Sequence, residues 1–143
     1  MLIAPAGTRP IFVSMPIKVQ TYDIDFARHV NNGVYVRWLE DLRMELLRTY
    51  YPLEKFMAQG TAPILHATHI TYKRSIGLFD EPVGRMWCTE LGRATLRLEA
   101  EICVGDAVCA HATQRGILLE IGTTKPVRLP EELLARFRQD AGM

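Results

Sequence analysis

Two carboxylates, one imidazole and two carboxamides crowd a single short stretch of this chain: Asp23, Asp25, His29, Asn31 and Asn32. Directly after them, Tyr35, Trp38, Leu39, Leu42 and Leu46 repeat with the i, i+3, i+4, i+7 rhythm of a helix that buries one face. Arg37, Glu40, Asp41, Arg43, Glu45 and Arg48 fill most of the opposite face. Asn31 or Asn32 can cap the first turn through its side-chain oxygen, with Gly33 easing the entry. A helix entrance carries unpaired amide N–H groups and the positive end of the macrodipole, so it suits a ligand or an intermediate with negative charge. Asp25, seven residues before Asn32 and at the end of a strand, can act on a ligand held there.

The elements around this block are legible from periodicity and punctuation. Ile11 to Tyr22 reads as a first strand, broken or bent at Pro16. The helix is expected over Gly33 to Tyr51, where Pro52 stops it, and Leu53 to Gly60 adds a short helical turn. Ile64 to Lys73 alternates as a strand, with His66 and His69 on opposite faces. Further strands are expected near Val83–Leu91, Thr95–Val104 and Ala107–Ile121, joined by turns at Gly92-Arg93-Ala94 and Gly105-Asp106. A last amphipathic helix begins at Pro130-Glu131, with Leu133, Leu134 and Phe137 inward. One long helix followed by four strands with short turns is an α+β pattern with an antiparallel sheet. A single long amphipathic helix then needs a curved sheet to bury it.

The run Asp25-x-x-x-His29-Val30-Asn31-Asn32-x-x-Tyr35-x-x-Trp38-x-Glu40 resembles the signature of hot-dog-fold acyl-CoA thioesterases of the 4-hydroxybenzoyl-CoA thioesterase type. It is similar in part to acyl-acyl-carrier-protein thioesterases. The resemblance extends in layout from about Pro16 to Leu129 and is specific only in this block. It implies a hot-dog fold: a long central helix wrapped by a curved antiparallel β-sheet. It also implies dimers or dimers of dimers, with acyl sites at the subunit boundary.

The resemblance assigns Asp25 as the carboxylate that attacks the thioester carbonyl or activates water for the attack, and the Asn32 amide as the oxyanion donor. That chemistry needs a carboxylate on one face of the carbonyl and donors aimed at its oxygen. On the residues alone, a turn-capping aspartate is the favoured reading of Asp25. His29 matches a histidine of the carrier-protein branch, but the asparagine that branch carries two residues earlier is Ala27 here. This departure favours a CoA thioester over a carrier-protein one and leaves His29 between orienting water and holding the loop. Asn31, Tyr35, Arg74 and Arg93 are candidates for binding substrate, the arginines with Lys73 and Arg97 as anchors for phosphates. Tyr35 and Trp38 also read as core, Asp23 as exposed or turn-forming, and Glu40 as a partner for Arg43. His66 can line an acyl pocket. Asp23, Asp25 and His29 make a poor metal site, three groups crowded into one loop without a distant partner.

Composition narrows the classes that compete. A chain of 143 residues with 48% hydrophobic and 23% charged residues fits one globular domain, expected over residues 11–143, with Met1 to Pro10 as a flexible tail. A net charge of +1 gives no electrostatic case for nucleic acid or an anionic membrane. No apolar run approaches the roughly 18 residues of a membrane helix, and the first residues lack a secretory pattern. Cys88, Cys103 and Cys109 show no metal or redox spacing and read as buried free thiols in a reducing cytoplasm. The enzyme that the resemblance implies hydrolyses an acyl-CoA, with no metal or redox cofactor expected. A hot-dog hydratase or dehydratase is the alternative enzyme, although its Asp-x-Asn-x-x-His arrangement is missing. A non-catalytic acyl-binding module is the alternative outside catalysis.

Overall fold

Helix α1 (Val34–Tyr50) buries the five residues picked out by its periodicity, Tyr35, Trp38, Leu39, Leu42 and Leu46. Full burial of such side chains is worth about 1.5–3 kcal/mol each, which fixes the helix against whatever covers that face. The cover is a sheet. The computed structural model describes all of residues 1–143 and carries six strands: β1 (Leu2–Ile3), β2 (Val13–Pro16), β3 (Thr61–Tyr72), β4 (Val83–Leu91), β5 (Thr95–Val104) and β6 (Ala107–Glu120). The strand order is β1-β4-β5-β6-β3, with β2 also on β4, and every pairing is antiparallel. Two shorter helices, α2 (Leu53–Ala58) and α3 (Glu131–Ala141), close the end of α1 away from Asp25 by placing Phe56, Leu133 and Phe137 in the core.

Close approach of α1 to β4 depends on Gly84. A Cβ there would lie 2.9 Å from Leu42 Cδ1 and 3.0 Å from Ile17 Cδ1, closer than packed carbons sit. The β5–β6 hairpin turns at Gly105-Asp106, with Gly105 at φ +57°, as the first residue of a tight two-residue hairpin requires. The outer strand β3 pairs only with β6 and leaves its other edge open over most of its length. Pro63 sits in it, a residue that an edge strand tolerates and a central one does not.

Two expectations change at the N-terminus. Residues Met1 to Pro10 are not a loose tail: Leu2 and Ile3 pair with Leu91 and Glu90, and the Cys88 N–H donates to the Pro10 carbonyl at 2.8 Å. Arg9 lies 4.0 Å over the ring of Trp87, and the Ile11 N–H donates to Asp140 Oδ2 at 3.0 Å. Alternation of apolar residues did not reveal this, because the segment is held by backbone pairing and by Arg9, which also pairs with Glu101 at 3.1 Å, rather than by a hydrophobic stripe. The first strand is also shorter than expected, Val13–Pro16. Proline ends the ladder, and the chain then winds into a 3-10 turn at Thr21–Asp23.

His66 sits at a β-bulge between Leu65 and Ala67, which interrupts the alternation of β3. Both His66 and His69 are exposed, and His66 lines no acyl cavity with its neighbours Ile64 and Leu65. The three cysteines are free and buried. No helix is long and apolar enough to cross a membrane.

Candidate active site

The loop before α1 is a small hairpin of its own. Ile24 and Val30 form a bridge, the Asp25 N–H donates to the His29 carbonyl at 2.9 Å, and the Arg28 N–H donates to the Asp25 carbonyl at 3.0 Å. A three-residue hairpin loop places its last residue in the left-handed region, and Arg28 occupies it at φ +66° without being glycine. The Asp25 side chain helps to hold that turn: its Oδ1 accepts the Ala27 N–H at 2.9 Å. Its Oδ2 has no hydrogen-bond partner within the protein. Asp25 thus fills both readings open in the sequence, a turn-former through one oxygen and a free carboxylate oxygen through the other.

Asp23, expected to be exposed or turn-forming, closes the 3-10 turn at Thr21–Asp23 and is the best-buried carboxylate in the chain, at 1% exposure. Its Oδ1 accepts from Arg37 Nη2 at 2.6 Å and its Oδ2 from the Gln20 N–H at 2.9 Å, while its carbonyl accepts the Asn31 N–H at 2.8 Å. A charge can stay buried when paired and hydrogen-bonded in this way. Asp23 therefore ties the Asp25 loop to the first turns of α1. The engagement of Asp23 by Arg37 also separates it from Asp25 and His29, and the three form no metal-binding cluster.

At the helix entrance, neither asparagine caps α1 by its side chain in the expected manner. The N-cap is Gly33, and Asn31 Oδ1 instead accepts the Gly33 N–H at 2.9 Å. The surrounding amides are all used: Asn31 N–H on Asp23, Val34 N–H on the Asn31 carbonyl, and Tyr35 N–H on the Asn32 carbonyl. The Asn32 N–H donates to nothing in the protein. It is an amide at the N-terminus of a 17-residue helix with its hydrogen-bonding capacity unspent. Tyr72, on β3, fixes this peptide from the other side by donating its hydroxyl to the Asn32 carbonyl at 3.0 Å.

These groups share one polar pocket of ≈ 220 Å³, lined by Asp25, Ala27, His29, Val30, Asn32, Tyr35, Tyr72, Lys73, Arg74 and Ser75. Of the residues picked from sequence, Asp25, His29, Asn32, Tyr35 and Arg74 meet here. Asn31 is turned to its own loop, and Arg93 lies at another surface beside Met1, Leu2 and Arg128, away from Asp25 within this chain. Glu40 does not pair with Arg43, whose Nη1 instead donates to Gln114 Oε1 at 3.0 Å. Tyr35 is both core and pocket wall. Its ring meets Trp38 at 5.0 Å and Tyr72 at 5.1 Å, both edge-on, and burial pushes its phenol up to about 12. Tyr72 was missed in the sequence because its partner is 40 residues away. Asp23 carried a visible charge, but nothing local marked Arg37 as its partner.

A curved antiparallel sheet around one long helix, with a carboxylate and an unspent amide at the helix entrance, defines a hot-dog-fold enzyme of the thioesterase class. Residues 19–137 match the thioesterase-like superfamily, and the chain belongs to that family. An acyl-CoA thioesterase, YbgC of Haemophilus influenzae, is 26% identical over 126 residues, covering 87% of this chain and 93% of that protein. A solved structure of a hypothetical protein from Aquifex aeolicus superposes with a TM-score of 0.79 at 25% identity, covering 87% of this chain and 98% of that one. The DHNA-CoA thioesterase of Staphylococcus aureus shares the fold, with a TM-score of 0.82 at 18% identity over 90% of this chain and 91% of its own.

Proposed function

We propose that the chain is an acyl-CoA thioesterase that cleaves its substrate to a free carboxylic acid and CoA, with Asp25 as nucleophile or general base. The observation that carries this reading is the free Asp25 Oδ2 in the same pocket as the unspent Asn32 N–H. A thioester carbonyl bound between them has a carboxylate for its carbon and an amide for its oxygen. As the tetrahedral centre forms, negative charge gathers on that oxygen, where the amide and the helix dipole stabilise it. The C–S bond then breaks, the electron pair leaves with sulfur, and the thiolate takes a proton. Where Asp25 attacks directly, water hydrolyses the resulting anhydride. Where it acts as base, it accepts the proton of the attacking water. His29, on the same wall, orients water or the loop. Lys73 and Arg74, on the wall of the same pocket, supply the cations for the CoA phosphates in this reading.

Two further features of the reading concern the setting. The free edge of β3 suits a second copy of the chain, joined edge to edge, since a long open strand otherwise invites aggregation. The buried free thiols suit a cytoplasmic location. A panel of acyl-CoAs assayed for released thiol tests the reaction: several should release thiol, and a carrier-protein thioester of the same acyl chain should turn over more slowly. Consumption of an enoyl-CoA without thiol would make the protein a hydratase, and binding without turnover would make it an acyl-binding module. Sedimentation equilibrium across micromolar concentrations tests the assembly, and a pure monomer rejects it.

A further inference from the structure

Two phenylalanine rings stand in solvent beside the Asp25 pocket. Phe26 is fully exposed at the tip of the hairpin that carries Asp25, and Phe79 is 94% exposed in the loop between β3 and β4. Asp25 and Ala27, on either side of Phe26, line the pocket, as do Lys73, Arg74 and Ser75 ahead of Phe79. Neither turn is loose. The hairpin tip is closed by the Ala27 N–H on Asp25 Oδ1 and the Arg28 N–H on the Asp25 carbonyl. The Phe79 loop begins with the Lys73 and Arg74 N–H groups on the Cys109 carbonyl, at 2.8 and 3.0 Å. It ends with the Pro82 carbonyl accepting the Ile17 N–H at 2.9 Å. Between these points Ile76 is wholly buried, and the Gly77 N–H donates to Asp80 Oδ2 at 2.8 Å. The two turns are tied to each other, since the Val30 N–H donates to the Ile76 carbonyl at 2.8 Å. A phenyl ring held in water forfeits the gain of burial, and here the fold fixes two of them outward.

What the rings meet follows from their neighbours. Lys73 and Arg74, on the pocket wall, pair with no carboxylate of the chain. The pocket, at ≈ 220 Å³, is below the range of about 300–1,000 Å³ that encloses a drug-sized ligand. It takes the thioester end of a CoA substrate and leaves the nucleotide outside. At the mouth that nucleotide meets two cations and two aromatic rings, the features that hold phosphate and stack a base. We propose that Phe26 and Phe79 are the stacking surface for the adenine of CoA, with its phosphates on Lys73 and Arg74. The proposal rests on the acyl-CoA reading of the Asp25 pocket. A lipid surface suits the rings less well, because a net charge of +1 gives the chain no general attraction to an anionic membrane. Adenine is the part of CoA that the prosthetic arm of a carrier protein lacks, so the rings also give the choice between the two substrates a physical basis.

The test compares one acyl chain carried as a thioester of CoA and of pantetheine, which lacks the nucleotide. With Phe26→Ala and Phe79→Ala combined, KM for the acyl-CoA should rise about five- to tenfold, the low end for stacking of a base on an aromatic ring. The kcat and the KM for the acyl-pantetheine should stay within a factor of two. Calorimetry with CoA alone, without turnover, should show the same loss of affinity. Phe79→Ala by itself should carry part of the effect, and it decides the question should the double variant not fold. Equal KM changes for both thioesters, no change in either, or unaltered affinity for CoA overturns the proposal and leaves the hydrolysis standing. If neither thioester releases thiol but CoA affinity still depends on the rings, the hydrolysis fails and the stacking surface stands. A double variant that keeps its affinity for CoA but loses self-association, or loses binding to phosphatidylglycerol vesicles, assigns the rings to a second copy or to a lipid surface and overturns the proposal.

Discussion

The two ends of α1 treat polar groups in opposite ways. At its entrance, donors and acceptors gather in a solvent-reached pocket, and two of them, the Asp25 Oδ2 and the Asn32 N–H, are left without protein partners. Toward its far end the same helix faces a mostly apolar cavity, and the one charged side chain on its wall, Arg43, is steered by a buried glutamine. Stability comes from the far end and from the stripe between, where side chains interlock around Leu42 and Gly84. The entrance leaves these polar groups without protein partners and accepts a left-handed arginine at position 28, the kind of local cost found where a loop serves a site rather than the core.

Replacement of Asp25 is the sharpest way to break this contrast. Asp25→Asn keeps size and an acceptor for the Ala27 N–H, so the loop should survive. A neutral amide neither attacks a carbonyl nor takes a proton from water, so kcat should fall by about 10²-fold or more. Thermal stability should hold or rise, as is usual when a catalytic carboxylate is removed. Hydrolysis within a few fold of the unaltered protein would reduce Asp25 to a turn residue. His29→Ala should cost less, about tenfold in kcat, near the lower end of the range for a proton-transfer group. A loss as large as that of Asp25→Asn would make the two equal partners.

Asp23 tests whether the entrance depends on the helix behind it. Asp23→Ala removes acceptors from Arg37 and from the Gln20 N–H. Hydrogen bonds to charged groups are worth about 1.5–3 kcal/mol each, and Arg37 can still reach water, so a total loss of about 2–4 kcal/mol is expected. Chemical denaturation measures it. Activity should fall with the loosened loop even where the variant is fully folded. Stability lost with kcat untouched would show that the Asp25 loop holds itself.

Each end buries one group deeply enough to shift its ionisation, and alkaline titration compares them. Burial pushes the Cys88 thiol, on the cavity wall, from 9.0 up to about 12, and the Tyr35 phenol, on the pocket wall, from 10.0 up to about 12. In the unfolded chain each group loses its proton earlier than in the folded one. The stability tied to Cys88 is therefore complete below pH 9 and is lost as pH rises toward 12, and that tied to Tyr35 goes between pH 10 and 12. Denaturation midpoints under reducing conditions should fall above pH 9, and Cys88→Ala should flatten the first part of the decline. A midpoint constant from pH 8 to 11 would contradict the burial of both groups.

What could be read from the sequence follows the same division. Periodicity located α1 within a residue at each end and β4 and β5 at their observed limits, because a buried stripe and a strand bounded by turns leave local marks. That Asp25, the amide of Asn32 and His29 come together was legible because they lie within one loop. Tyr72, Arg37 and the path of residues 1–10 were not, since each is defined by a partner far along the chain. Which amide Asn31 takes was illegible for a related reason. An asparagine before a helix can bond to either of several nearby amides, and only the backbone angles decide which.

Tyr72 gives the mildest test and the most specific. Its hydroxyl donates to the Asn32 carbonyl, on the far side of the residue whose amide has no protein partner. Tyr72→Phe removes that one bond and keeps the ring against Tyr35. Since the hydroxyl is exposed to solvent, water can replace it, and stability should change by no more than about 0.5–1 kcal/mol. If Tyr72 positions the helix entrance, kcat should drop by roughly three- to tenfold while KM stays within a factor of two, the pattern of an interaction felt in the transition state. A change confined to KM would instead place Tyr72 on the ground-state substrate. No change in either constant would show that the loop and α1 hold the Asn32 peptide without help from the sheet, and the entrance would then owe its geometry to the helix alone.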